Sequence, residues 1–485
     1  MVSTILSFLI TPFLVNHLGR EIYGFYGIAN SFVSYITIIA IALNSMAAKY
    51  ITVEYVRGNE LKAQKYYSSV FFSNVILCLI LTPILVIIIF NLSIFLNISS
   101  DYIKQIQCLF VLIFAAMILR FLTSIYGTVL YTKNRMDYRA YIDLIKAALR
   151  LFLYILLFTL FKPSVVYLGV VLFLLELFNS VSQICISKKL MPQFKIRIKL
   201  FDLHLIWETL KVGVWNSLNQ LGDLLLSSSD LIMSNILLGE MASGNISIIK
   251  TIPTLISGVI TAINGVFMPR ATNQYAQGNK KELILEITNS QKMMCTIITP
   301  LVLCLIIFSV DFFNLWIHGD NDILLANLMI IDVSRMLIVA SVWPVSNLNI
   351  ILDKVKVPSL FVIFSGIVNI ISMWGLTAFT DMDIYSIVIT TFIITFLFYG
   401  LFIPLYSSKN LGVSYFTFVI PEIQMIILAL IVFFIVKPIH DLINISTWSL
   451  FFFIGGICGI VAVVISVLFY WHRNIYCFIK MKCNK

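Results

Sequence analysis

Asn216, Gln220, Asp223, Ser227 and Asp230 recur at steps of four, three, four and three residues in the otherwise apolar stretch Leu210–Gly239. That spacing gathers five polar side chains, two of them carboxylates, on one face of a helix. The stretch is long enough to cross a bilayer, for which about 20 residues suffice. A carboxylate in hydrocarbon costs at least about 2.5 kcal/mol, so the face is expected to look into a bundle interior or a wet cavity. Burial raises a carboxylate pKa, which makes Asp223 and Asp230 candidates for exchanging a proton or holding an ion such as Na+. Two other readings stand beside this one: a polar seam that glues two helices, or structural aspartates held by hydrogen bonds.

A second set of residues suits an anion. Arg120 and Arg335 fall at mid-depth of apolar segments, too far from either end for easy snorkelling. Arginine holds phosphate by a bidentate, charge-assisted fork. Lys250 lies about one turn inside its own segment, on a stripe with Ser257, Thr261 and Asn264, and Asn30, Ser34, Thr37 and Asn44 form a similar stripe earlier in the chain. Hydroxyls and amides along such walls suit a sugar. Asp332, three residues before Arg335, is close enough to pair with it on one helix face, and Glu176 is a cross-helix candidate partner for Arg120. Lys146, Arg150, Lys211 and Lys292 sit near segment ends and are expected to snorkel. His17, His318 and His440 are isolated in sequence and carry no catalytic expectation. The eight cysteines are scattered without metal-ligand spacing and read as small hydrophobes; no metal or cofactor is expected.

Positioning these residues is the work of a membrane bundle. The chain of 485 residues is 60% hydrophobic and 12% charged, with mean hydropathy +0.99, as an all-α polytopic membrane protein would be. About fourteen transmembrane helices are expected, near 1–18, 25–48, 69–91, 106–130, 143–162, 165–186, 210–237, 246–268, 292–314, 324–348, 358–379, 384–406, 416–436 and 448–471. The net charge of +10 does not indicate nucleic acid, because the basic residues fall in short loops. Twenty-two of them lie on the side of the C-terminus against four on the other, which predicts both termini to be cytoplasmic. Apolar sequence begins at Met1 without a basic stretch before it, so the first span is expected to serve as anchor. That span is short, and the chain is expected either to start further upstream or to open on a fraying turn. The outer loops are all short, which counts against an enzyme with a large extracytoplasmic domain.

The two halves repeat each other. At an offset of 220, Leu18, Gly19, Gly24 and Ile28 match Leu238, Gly239, Gly244 and Ile248, and Asn44, Tyr55, Gly58 and Asn59 match Asn264, Tyr275, Gly278 and Asn279. At 217, Cys78 and Pro83 match Cys295 and Pro300; at 215, Arg120 falls opposite Arg335. Six spans per copy leave both copies in one orientation, related by an axis along the membrane normal. The expected organisation is an N-lobe (1–187), a basic cytoplasmic linker (188–209), a C-lobe (210–407), two further helices (408–471) and a cytoplasmic tail (472–485).

The opening TPFLVNHLGREIYGFYGIANSF resembles the P-x-L-x-x-x-L-G-x-x-x-Y-G signature of the polysaccharide-biosynthesis flippases, the O-antigen and capsule repeat-unit translocases. The stretch VGVWNSLNQLGDLLLSSSDLIMSNILLG resembles the start of that family's second lobe. The family belongs to the multidrug/oligosaccharidyl-lipid/polysaccharide (MOP) exporter superfamily. The resemblance implies a flippase of the bacterial cytoplasmic membrane that moves undecaprenyl-diphosphate-linked oligosaccharide to the outer leaflet by alternating access. It would work among membrane lipids, with H+ or Na+ as coupling ion and the pathway's polymerase as a partner. Arg120, Arg335 and Lys250 would then meet the diphosphate. A drug/cation antiporter, a peptidoglycan-precursor flippase, and a membrane polymerase or ligase of the same pathway are the alternatives.

Overall fold

The computed structural model describes residues 2–44, 47–317 and 322–483; the side chains at 2–4, 212, 216, 322 and 472–483 lie outside the described set. Among the described residues every regular element is helical. The first repeat comprises α1 Val2–Leu18, α2 Arg20–Asn44, α3 Ala47–Val56, α4 Glu60–Phe90, α5 Leu92–Phe95, α6 Ile103–Thr132, α7 Met136–Leu160 and α8 Val166–Leu190. The second comprises α9 Leu203–Ser227, α10 Ser229–Leu238, α11 Glu240–Ile249, α12 Thr251–Ala276, α13 Lys280–Ile307, α14 Ser309–Trp316, α15 Asp322–Ile351, α16 Lys356–Phe379, α17 Ile384–Thr395 and α18 Ile403–Leu411. α19 Phe416–Asp441 and α20 Trp448–Cys483 follow.

Among the described residues eleven helical segments are long and apolar enough to cross a membrane, twelve if α9 and α10 are one span bent by 41°. This count is lower than the fourteen expected. The segments that fall short are α1, with 17 residues, and α7, whose apolar run contains Asp143, Lys146 and Arg150. The bend at Ser228 also corrects the expectation of one straight polar stripe. Ser227 and Ser229 turn their hydroxyls back onto the carbonyls of Asp223 and Leu225, at 2.7 Å each. Such back-bonding loosens the helical ladder and bends helices.

The repeat is visible in backbone torsions. Gly19 and Gly239 have φ of 84° and 92°, and Gly58 and Gly278 have 81° and 75°. Each pair occupies the same turn in its copy: Asn59 and Asn279, which follow the second pair, donate their N–H to the carbonyls of Glu54 and Gln274 at 2.9 and 3.0 Å. A third pair was not visible as an identity in sequence. Asn134 and Asp353, of φ 53° and 55°, end α6 and α15 in matching turns. Counted from these turns, Arg335 lies one helical turn, about 6 Å, farther back than Arg120 does. The two arginines are therefore not strict equivalents.

Two compact units are formed. One contains Val2–Ile248 and Ser359–Phe379; the other contains Ile249–Pro358 and Thr380–Lys485. In the first, α16 lies against α9, where Gly222 and Gly366 leave room for Val362 and Leu225. The residues expected as a basic linker pack here too. Met191 and Phe194 enter an apolar cluster with Ala47, Ile51, Tyr66 and Tyr67, and Gln64 donates to the carbonyls of Gln193 and Lys195 at 3.0 and 3.1 Å. In the second unit, α13, α19 and α20 share an apolar core that includes Leu303, Leu428, Val432, Ile454 and Cys458.

At the Gly19–Gly239 end of the first unit, repeat-equivalent residues face each other. A Cβ on Gly24 would meet the backbone N of Gly244 at 2.7 Å, and one on Gly27 would meet Ser247 Oγ at 2.5 Å. Both contacts join residues 220 apart, so the local axis relating α2 to α11 passes between them, as in an isologous interface. Beside this crossing, Asn97 donates through N and Nδ2 to Asn235 Oδ1 and O at 2.9 and 2.7 Å. The Ser99 N–H and hydroxyl both donate to Glu240.

Candidate functional site

Arg120 projects from the middle of α6 into a cavity of ≈ 440 Å³ bounded by α6, α7 and α8. The wall carries two more cations, Arg139 and Lys146, two carboxylates, Asp143 and Glu176, and the neutral polar groups Thr123, Ser124, Thr128, Asn179 and Gln183. Among the described residues no hydrogen bond or ion pair engages the Arg120 guanidinium. Glu176 shares the cavity but is not its ion-pair partner: it accepts from Asn179 Nδ2 at 2.8 Å, and Asn179 Oδ1 accepts from Gln183 at 3.1 Å. Cations thus outnumber carboxylates on this wall, and hydroxyls and amides interleave them. Such a wall can take an anionic, hydroxylated ligand. Lys146, expected to snorkel, lines this cavity instead.

Arg335 is arranged differently. It is 7% exposed, and its Nε and Nη2 reach Asp332 Oδ1 at 3.1 and 2.9 Å. Lys250 Nζ approaches the other carboxylate oxygen at 3.8 Å. Lys250 stands at the break between α11 and α12, where Pro253 has no N–H to give the Ile249 carbonyl. The two sequence-predicted cations of the second repeat therefore converge on one buried carboxylate.

The hydroxyl and amide stripes divide. Asn30, Ser34 and Thr37 bond back to carbonyls of their own helix, at 2.8, 2.9 and 2.6 Å. Asn44 pairs reciprocally with Asn74 at 3.0 Å and touches Ser124, which ties α2 to α4 and α6. Ser257 and Thr261 are exposed, and Asn264 lines a small recess with Glu286, Ser290 and Asn347. Gln220 is exposed and Asp223 half-buried, while Asp230, beyond the bend, is 1% exposed. Asn216 lies outside the described residues, as does His318.

Three groups behave otherwise than their isolation in sequence indicated. Arg150, expected to snorkel, is drawn inward by hydroxyls, with Nη1 donating to Ser7 at 2.8 Å and Nη2 to Tyr26 at 3.0 Å. His440 is not isolated: its Nε2 meets Asp311 at 2.7 Å and its Nδ1 meets Asp441 at 2.9 Å. His17 hydrogen-bonds the Phe13 carbonyl at 2.7 Å and packs against Phe158. The partners of Arg150 and Asp311 lie more than a hundred residues away, where no spacing rule reaches. A buried carboxyl that sequence reading passed over, Glu422 of α19, belongs to neither repeat.

This helical bundle with an internal repeat is the fold of the MOP-superfamily transporters. It resembles an inward-facing multidrug resistance MATE family transporter with TM-score 0.69 at 15% identity, covering 85% of this chain and 96% of that one. It resembles the lipid II flippase MurJ in an inward closed conformation with TM-score 0.68 at 14% identity, covering 98% of both chains. The chain belongs to the polysaccharide biosynthesis protein family, whose model matches residues 1–273. It is also 25% identical to the uncharacterized membrane protein EpsK of Bacillus subtilis (strain 168) over 448 residues, 92% of this chain and 88% of EpsK.

Proposed function

We propose that this protein is a flippase for lipid-linked oligosaccharide, carrying a polyprenyl-diphosphate-bound repeat unit from the cytoplasmic to the outer leaflet of the bacterial cytoplasmic membrane by alternating access. In this reading residues 1–187 and 210–407 act as two lobes, 408–471 as accessory helices, and both termini are cytoplasmic. The carrying observation is Arg120, a mid-helix guanidinium that has no partner among the described residues and shares its cavity with Arg139 and Lys146. A permanent charge placed in a membrane segment without a counter-ion is costly, and a diphosphate would offset that cost. Arg139 stands near the start of α7, next to a loop that the charge bias assigns to the cytoplasm, so the cavity spans from the inner surface toward mid-depth. The surrounding hydroxyls and amides suit the sugar.

The test is export of surface glycan in a flippase-null strain expressing Arg120→Gln, Arg120→Lys or wild-type protein at matched membrane levels. Loss of one charge-assisted contact predicts export lower by about tenfold to a hundredfold in Arg120→Gln, with partial rescue by lysine. Undiminished export by Arg120→Gln would remove the cavity from the transport path. The chain-long match to MurJ favours a second cargo, the peptidoglycan precursor, whose diphosphate head is the same. Complementation of a strain depleted of its own lipid II flippase separates the two.

A further inference from the structure

In the second compact unit, α19 and α20 meet α13 through a polar layer within otherwise apolar packing. Gln291 of α13, fully buried, donates through Nε2 to the Ser341 carbonyl at 2.9 Å and to the Phe418 carbonyl at 3.1 Å. One turn on from Phe418 is Glu422, 9% exposed. Among the described residues its Oε1 is sealed from solvent with no hydrogen-bond partner, and its carboxyl group forms no ion pair. The Gln291 and Gln424 side-chain oxygens are sealed and unpartnered as well. From α20, Tyr470 donates to the Pro421 carbonyl at 3.4 Å and Trp471 to Thr296 of α13 at 3.2 Å. Among the described residues the titratable groups that face Glu422 are Cys295 of α13 and Tyr415 at the start of its own helix, with Tyr470 of α20 beside Cys295. Among the described residues no cation is paired with it.

An ionised carboxylate buried in such a place without a counter-charge would cost several kcal/mol. The packing therefore favours the neutral acid. Opening of the junction of α13, α19 and α20 to water would favour loss of its proton, since burial of Oε1 and the lack of a counter-charge are what disfavour the carboxylate here. We propose that Glu422 is a proton-binding site that links protonation to the docking of the α19–α20 pair on α13. The carboxyl holds a proton when the pair is docked; on opening, the O–H bond breaks, the proton passes to water, and the carboxylate is hydrated. As the coupling site of a transporter this rests on the flippase reading, but the proton-linked opening stands on the junction alone.

Cys295 reports on the opening, because it is fully buried in the same layer, and its repeat counterpart Cys78 is buried in the other unit as an internal reference. The experiment is pulse labelling of the full-length protein in liposomes with N-ethylmaleimide, quantified for each cysteine by peptide mass spectrometry between about pH 6 and about pH 10. Taking the Cys295:Cys78 ratio compensates for the common rise in thiol reactivity with pH. Opening linked to one proton predicts a ratio that rises with pH by up to about tenfold per unit in wild type. In Glu422→Gln, which mimics the neutral acid, the ratio stays low and flat. A ratio independent of pH in wild type, or the wild-type profile retained in Glu422→Gln, overturns the proposal. So does a profile set by sodium at constant pH, which would make the site one for a metal cation. No substrate enters this assay, so a failed export test and a failed proton site are told apart.

Discussion

Asp332 faces two cations with one carboxylate. Its Oδ1 accepts twice from Arg335, while Lys250 is held at 3.8 Å from Oδ2. At 2% exposure the aspartate has left water, and removing its charge leaves Arg335 buried without that counter-ion. Breaking a buried pair from one side costs about 3–5 kcal/mol. Asp332→Asn is accordingly expected to lower the melting temperature of detergent-purified protein strongly, and adding Arg335→Gln to recover much of the loss. A single Asp332→Asn variant that melts with wild type would mean that the charges do not depend on each other. Arg120 differs because no carboxylate among the described residues pairs with it, so Arg120→Gln is expected to spare the melting temperature and affect export.

At the scale of elements, glycines do two separate jobs. Gly58 holds φ at 81° with open space around it, whereas Gly24 is helical and pressed on the backbone of Gly244. The first needs a residue that tolerates a left-handed backbone; the second needs the absence of a Cβ. Asparagine is among the residues that enter positive φ most readily. Gly58→Asn is therefore expected to retain export and stability, while Gly24→Asn costs about 1–3 kcal/mol from overpacking. Thermal melts of the two variants side by side provide the check. Equal losses would show that conformation, not close approach, limits both sites.

For the molecule as a whole, the proposed alternating access would require the Gly19–Gly239 end to part during the cycle. In the present conformation that end is shut by the α2–α11 crossing and by the Asn97–Asn235 and Ser99–Glu240 hydrogen bonds. Replacing both asparagines by cysteine in a background free of other thiols, then joining them with a short reducible crosslinker, is expected to stop export, and reduction to restore it. Undiminished export with the link in place would mean that this seam stays closed through the cycle.

Much of this architecture was legible in the chain. Apolar periodicity identifies helices because a membrane leaves the backbone no other partner than itself, and the offset of 220 finds the paired turns because Gly19, Gly58, Gly239 and Gly278 all need positive φ. The repeat, the helical class and the resemblance to polysaccharide flippases follow from such local requirements. Of the partnerships, Asp332 with Arg335 was legible, because residues three apart share a helix face, and the rest were not. Glu176 and Arg120 share a wall without pairing, Lys250 joins Arg335 at Asp332, Arg150 turns inward to hydroxyls of α1 and α2, and Glu422 is sealed by helices from two distant parts of the chain. Helix periodicity says which side of its own helix a residue occupies. What stands opposite is decided by how helices far apart in sequence pack, and only the tertiary structure fixes which charges are paired within the protein.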